Sequence, residues 1–367
     1  MKPNGCLRAL ALTVAYLTFS LNVSFPTAMF AEQVSSSETA SLWAHNNLFA
    51  WCVVPFDANK RGPEERAQML ERLGFQYFAY DWRDKDIPTF DAEIESLQKH
   101  KIDVLAWWFP FDADDPVAKA TLETFRRHNI HPQLWVIQSL RGAPKTPADW
   151  AKLLPPGLSM PQTKEEFDRL SEKDKAEIQR VKKEVSDRFR SLAKTPEEQE
   201  QRVKQEADRI NELVKLAAPY GTKVELYNHN GWFGMEENQL AIVARLKEMG
   251  ATEVGMVYNF SHARDELHDD SKNFPALWKQ IKEHVVAVNI TGMHWEGQEV
   301  YPSQGDSELE MMRTIQESGW KGHIGLIAEK GGDAEVTLKN YMIGLDWLAA
   351  ELKHPGSGGN PPFPRVQ

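Results

Sequence analysis

A closed (β/α)8 TIM barrel is the fold this sequence predicts, on three observations. Eight short apolar runs have strand length, a stretch with helical spacing follows each, and no GxGxxG or Walker pattern follows any of them. Alternating strands and helices imply a mostly parallel sheet with right-handed crossovers, and a count of eight favours closure over an open doubly wound sheet. The composition suits a large buried core: 367 residues, 41% hydrophobic, 26% charged.

The elements follow in order. Residues 1–31 read as a secretory signal peptide, because Lys2 and Arg8 precede an apolar stretch from Ala9 to Val23 and small residues follow at Ala28 and Ala31. The competing reading is an uncleaved N-terminal membrane anchor: neither cleavage option has small residues at both −1 and −3, although the stretch is shorter than the roughly 20 apolar residues of a spanning helix. The barrel is expected over 45–353. Its first half pairs Leu48 to Val54 with Glu64 to Leu73, Gln76 to Tyr80 with Asp91 to His100, Val104 to Phe109 with Pro116 to His128, and Gln133 to Gln138 with a long helical region. The second half pairs Lys223 to Tyr227 with Glu236 to Met249, Glu253 to Asn259 with Asn273 to His284, Val285 to Ile290 with Ser307 to Ser318, and His323 to Glu329 with Ala334 to Leu352.

The fourth unit is overlong. From about 163 to 218 the chain is dense in charge, with apolar residues mostly three or four apart from Phe167 to Leu192. Thr163 with Glu166 has the form of a capping box, and Thr195 before Pro196 that of a new helix start. The segment reads as two long amphipathic helices inserted between strands four and five. Two roles stand: a lid or homodimerisation arm over the mouth, or a solvated elaboration. Residues 354–367 read as a loose tail.

A net charge of −10 argues against nucleic acid or an anionic membrane as partner. There are two cysteines; cleavage of the signal would leave Cys52 alone, so the mature chain has no intrachain disulfide.

In this architecture the chemistry lies at the C-terminal strand ends. The polar residues there are Asp57, Asp81, Arg83, Asp112, Gln138 and Arg141 in the first half, with Trp107 and Trp108. In the second half they are Tyr227, Asn228, His229 and Asn230, then Asn259 and His262, Asn289, His294 and Glu296, and Glu329 and Lys330. Aromatic faces beside amides and carboxylates suit a carbohydrate, whose ring stacks while its hydroxyls are hydrogen-bonded. Trp107, Trp108, Tyr227, Asn228, Asn259, Asn289 and His294 are the expected substrate-binding set. His229, His262, Glu329 and Lys330 are the expected catalytic set.

Four stretches carry a family resemblance: Val224-Glu-Leu-Tyr-Asn-His-Asn-Gly-Trp, Val254-Gly-Met-Val-Tyr-Asn-Phe-Ser-His, Val286-Ala-Val-Asn-Ile-Thr-Gly and Gly322-His-Ile-Gly-Leu-Ile-Ala-Glu. Together they resemble the sugar phosphate isomerase/epimerase family, a xylose-isomerase-like TIM barrel. The resemblance implies a divalent metal held by Glu, Asp, His and Glu from strands five to eight, with the two Glu carboxylates moving a proton beside a metal-polarised carbonyl. In this chain the first three ligand positions fall on Tyr227, Asn259 and Asn289, and the last on Ile327 or Glu329. A neutral, amide-rich set binds hard divalent ions weakly. The remaining metal set is His229, His262 and Glu329.

Two functions follow as expectations. One is an exported enzyme acting on a sugar or keto-sugar by proton transfer next to a carbonyl, leading to isomerisation, epimerisation or elimination. The other is a non-catalytic carbohydrate-binding protein on the same barrel. A glycoside hydrolase is a third, weaker option, since it needs paired carboxylates at the strand ends and only Glu329 is well placed.

Overall fold

The computed structural model describes residues 41–137, 150–161, 164–190, 193, 195–229, 231–262, 267, 271–294 and 299–364. The expected signal peptide, Gln138, Arg141, Thr163, Asn230 and Glu296 lie outside the described residues.

Eight parallel strands close into a barrel: β1 Leu48–Trp51, β2 Tyr77–Tyr80, β3 Asp103–Trp108, β4 Gln133–Val136, β5 Val224–Tyr227, β6 Gly255–Asn259, β7 Val285–Ile290 and β8 His323–Ile327. β1 pairs with both β2 and β8, so no edge is left open. Most strand residues are buried, as expected where one face packs on helices and the other on the barrel interior. The strands end at, or up to three residues before, the ends of the apolar runs.

The outer helices include α1 Pro63–Leu73, α2 Phe90–Lys99 and α3 Pro116–His128. Proline at the first helical position starts α1 and α3, and left-handed Gly74 and Asn129 end them. A bidentate ion pair buried between α1 and α2 ties two helices together: Arg66 Nε donates to Glu93 Oε1 at 2.9 Å and its terminal nitrogen to Oε2 at 3.1 Å.

The charged region resolves into α4 Lys164–Asp168, α5 Glu172–Arg190 and α6 Pro196–Ala217. The structure divides it differently from the sequence expectation. Ala207, Ile210, Leu213 and Ala217 of α6 belong to the main core, so α6 is the fourth helix of the barrel itself. Ile178 and Val181 of α5 pack instead with Leu154 and Met160 in a separate small cluster. The excursion therefore lies between β4 and α6. Thr195 caps α6, its hydroxyl accepting from the Glu198 backbone N–H at 3.2 Å. Glu236–Glu248, Phe274–Ile281, Glu308–Glu317 and Ala334–Lys353 complete the ring. No helix among the described residues is long and apolar enough to cross a membrane.

Candidate functional site

Strand alternation decides which side chains enter the barrel. Trp51, Trp108, Trp135 and Tyr227 point inward near the mouth and pack together, with ring centroids 4.8–5.9 Å apart. Trp107, one residue before Trp108, faces the opposite way and is fully buried against Tyr80, Phe90 and Phe125. The expectation that Trp107 binds substrate is therefore corrected: it is a packing residue between sheet and helices. Trp108 is half-buried at the mouth.

Tyr227 is the hub. Its phenolic oxygen lies 3.0 Å from Trp51 Nε1, 2.8 Å from Asn259 Nδ2 and 3.0 Å from Asn289 Nδ2, all buried. Asn259 is held in this orientation because its Oδ1 accepts from the Ser261 backbone N–H at 3.0 Å and hydroxyl at 3.1 Å. Burial pushes the Tyr227 phenol well above its usual range, so it is neutral. Asn228 faces the other side of β5. It donates to Glu236 at 2.8 Å and accepts from the Asn259 backbone N–H at 2.7 Å, so it fastens β5 to β6 and to the following helix. It is buried and has no face toward the mouth, which corrects its assignment as a substrate contact.

Around the hub, His229 and His262 stand half-buried with ring centroids 4.6 Å apart, and His262 lies 6.1 Å from the Tyr227 ring. His294 Nδ1 is 3.2 Å from Asp306 Oδ1. Across the mouth, the ends of β1, β2 and β8 bring Cys52, Asp81, Arg83, Glu329 and Lys330 together with Glu299, which belongs to a short hairpin between Gly292–Met293 and Glu299–Val300. Cys52 leaves β1 in the left-handed region (φ 54°) and is half-buried. Burial, and then the Asp81 charge, push its thiol up. Asp81 is buried; its Oδ1 accepts from the Val54 backbone N–H at 3.2 Å, its Oδ2 has no partner, and burial lifts its carboxyl to about 7.

Glu329 sits at the exposed rim, yet desolvation and then the Glu299 charge push its carboxyl up. Desolvation pushes the half-buried Lys330 ammonium down, against Glu299 and Glu329, and Lys330 Nζ lies 5.7 Å from the centre of the Tyr301 ring. Asp57 does not face a ligand. It accepts from Arg61 at 2.9 Å and from the Ala334 backbone N–H at 3.2 Å, so it pins the loop after β1 to the last helix.

Neither metal arrangement fits. At the position suggested by the resemblance, Trp51 and Asn259 aim N–H groups at Tyr227, whose oxygen has no lone pair left for a cation. His229, His262 and Glu329 do not form the alternative: among the described residues no three His, Cys, Asp or Glu are grouped to hold a metal. The sequence reading missed Trp51, Cys52, Trp135 and Glu299. Trp51 carries a partial signal, since it lies within the first apolar run, although only the structure shows that the strand ends there; Glu299 reaches the mouth only through a loop.

No protein-family model matches the chain, and no curated protein matches it in sequence. Solved structures share its fold. A xylose isomerase domain protein from Alicyclobacillus acidocaldarius is 13% identical with a TM-score of 0.52, over 84% of this chain and 100% of that one. The IOLI protein with a bound zinc atom is 15% identical with a TM-score of 0.52, over 83% and 98%. A xylose isomerase domain protein from Planctomyces limnophilus is 11% identical with a TM-score of 0.52, over 84% and 98%. The chain thus has the fold of the xylose isomerase-like TIM barrels.

Proposed function

We propose that this barrel binds a sugar or keto-sugar at its mouth and moves a proton next to the ligand's carbonyl. The observation that carries the reading is the Glu329–Lys330 pair: surroundings that push a carboxyl up and an ammonium down bring both toward the neutral range, where proton transfer works best. In this reading Glu329 takes the proton from the carbon beside the carbonyl. Lys330 donates to the oxygen on which negative charge develops, and His229 and His262 hold hydroxyls on the opposite wall. The half-buried Trp108 offers an aromatic surface for the ring.

The test is exchange of ligand protons for solvent deuterium, followed by NMR on a panel of keto-sugars. Glu329→Gln is expected to lose exchange by 100-fold or so while sugar binding persists. Unchanged exchange in that variant would sink the assignment. A second reading, a non-catalytic carbohydrate-binding barrel, is favoured by the Tyr227 cluster, which puts neutral phenol and amide groups where the resemblance implies two carboxylates and an imidazole for a metal. Sugar binding without any exchange in the wild-type protein would select it. Export through residues 1–31 belongs to the same proposal, on the charge and hydrophobicity of that segment; the N-terminal sequence of protein recovered from outside the inner membrane tests it.

A further inference from the structure

We propose that the centre of the mouth is a cation-excluding plug, in which Trp51, Asn259 and Asn289 close on the Tyr227 oxygen and the protein works without a divalent ion there. The argument is one of lone pairs. A phenol has one hydrogen to give and two lone pairs to share. The indole N–H of Trp51 only donates, and Asn259 presents its NH2 because Ser261 holds its carbonyl oxygen. These two donors fill both lone pairs.

The phenol hydrogen then goes to the third neighbour. Asn289 is fully buried, its Oδ1 has no hydrogen-bond partner, and its Nδ2 is 3.0 Å from the phenolic oxygen. Nitrogen and oxygen of an amide are interchangeable by a half-turn. Turning Asn289 over lets Tyr227 donate to Oδ1, which gives that atom its partner and leaves the phenol fully satisfied. Were Tyr227 ionised instead, all three N–H groups would occupy its oxygen. In both protonation states nothing remains for a cation.

The surroundings act in the same direction. Trp51, Trp108 and Trp135 wall the phenol and supply no oxygen ligands. The nearest carboxyl along β5, Glu225, lies one inward position deeper and is protonated at neutral pH because burial lifts it to about 8. A divalent ion entering here would meet N–H dipoles with their positive ends toward it and a low-dielectric wall, an environment that repels it.

The full chain, stripped with EDTA, is titrated with MnCl2 and ZnCl2 by calorimetry and thermal unfolding, beside Asn259→Ala and Asn289→Ala. The expected result is a wild-type melting temperature that is the same in EDTA and in millimolar Mn2+. Cation binding of equal affinity in all three proteins also supports the plug, since the ion then sits elsewhere. One equivalent of metal that raises the wild-type melting temperature by about 5 °C, and is lost in either variant, overturns it. If a variant fails to fold, the other variant and the wild-type titration still decide.

Discussion

Glu225→Gln should change the pH dependence of stability strongly. Glu225 is 2% exposed, its Oε2 has no hydrogen-bond partner, and a Cβ on Gly255 opposite would collide with it. Desolvation lifts its carboxyl from 4.5 to about 8, offset only in part by the Gly255 backbone N–H and by Lys223. The sign follows from linkage. The unfolded chain releases this proton near pH 4.5 and the folded one near pH 8, so stability is full below the first value and is lost as pH rises through the second. Relative to a residue that does not titrate, the loss works out at about 1 kcal/mol at pH 5 and about 4 kcal/mol at pH 8. Glutamine keeps the shape and cannot ionise. Whatever its amide costs in the same pocket is independent of pH, so the informative quantity is the difference between the two curves. Urea unfolding of both proteins at half-unit steps from pH 5 to 8.5 should show Glu225→Gln gaining about 4 kcal/mol on the wild type across the range. Parallel curves would refute the reasoning and mean that water or a displaced cation solvates Glu225.

Tyr227→Phe leaves the Trp51 and Asn259 donors without an acceptor in a buried site and should cost about 3 kcal/mol by denaturant midpoint; a loss below about 0.5 kcal/mol would remove Tyr227 as the hub. Glu93→Gln strands the buried Arg66 charge and should cost about 3 kcal/mol, while Arg66→Met with Glu93→Leu should recover most of it in the same assay. Gly325→Ala puts a Cβ against the Asn289 side-chain amide and the Phe49 ring, and thermal unfolding should report about 1–3 kcal/mol of overpacking strain.

The barrel was legible in the sequence because its signal is local. A strand buried on both faces must be an apolar run, a helix covering it must repeat every three or four residues, and eight such pairs leave closure as the economical solution. Val285–Ile290 and Pro116–His128 fall on the residues the pattern marks. Even the substitutions at Tyr227, Asn259 and Asn289 were visible as neutral residues where carboxylates and an imidazole were implied.

Tertiary structure decided the rest, for reasons that no local pattern contains. Alternation makes Trp107 and Trp108 face opposite ways, but only closure of the ring says which one enters the mouth. The charged stretch after β4 looked like one insertion; packing against the main core made α6 a wall of the barrel and left α5 outside it. The partners of the Tyr227 oxygen come from β1, β6 and β7, as far as 176 residues away in sequence. Hydrogen-bond valence at that oxygen is a property of a point in space where several strands meet, and the sequence by itself lists the donors without saying that they converge.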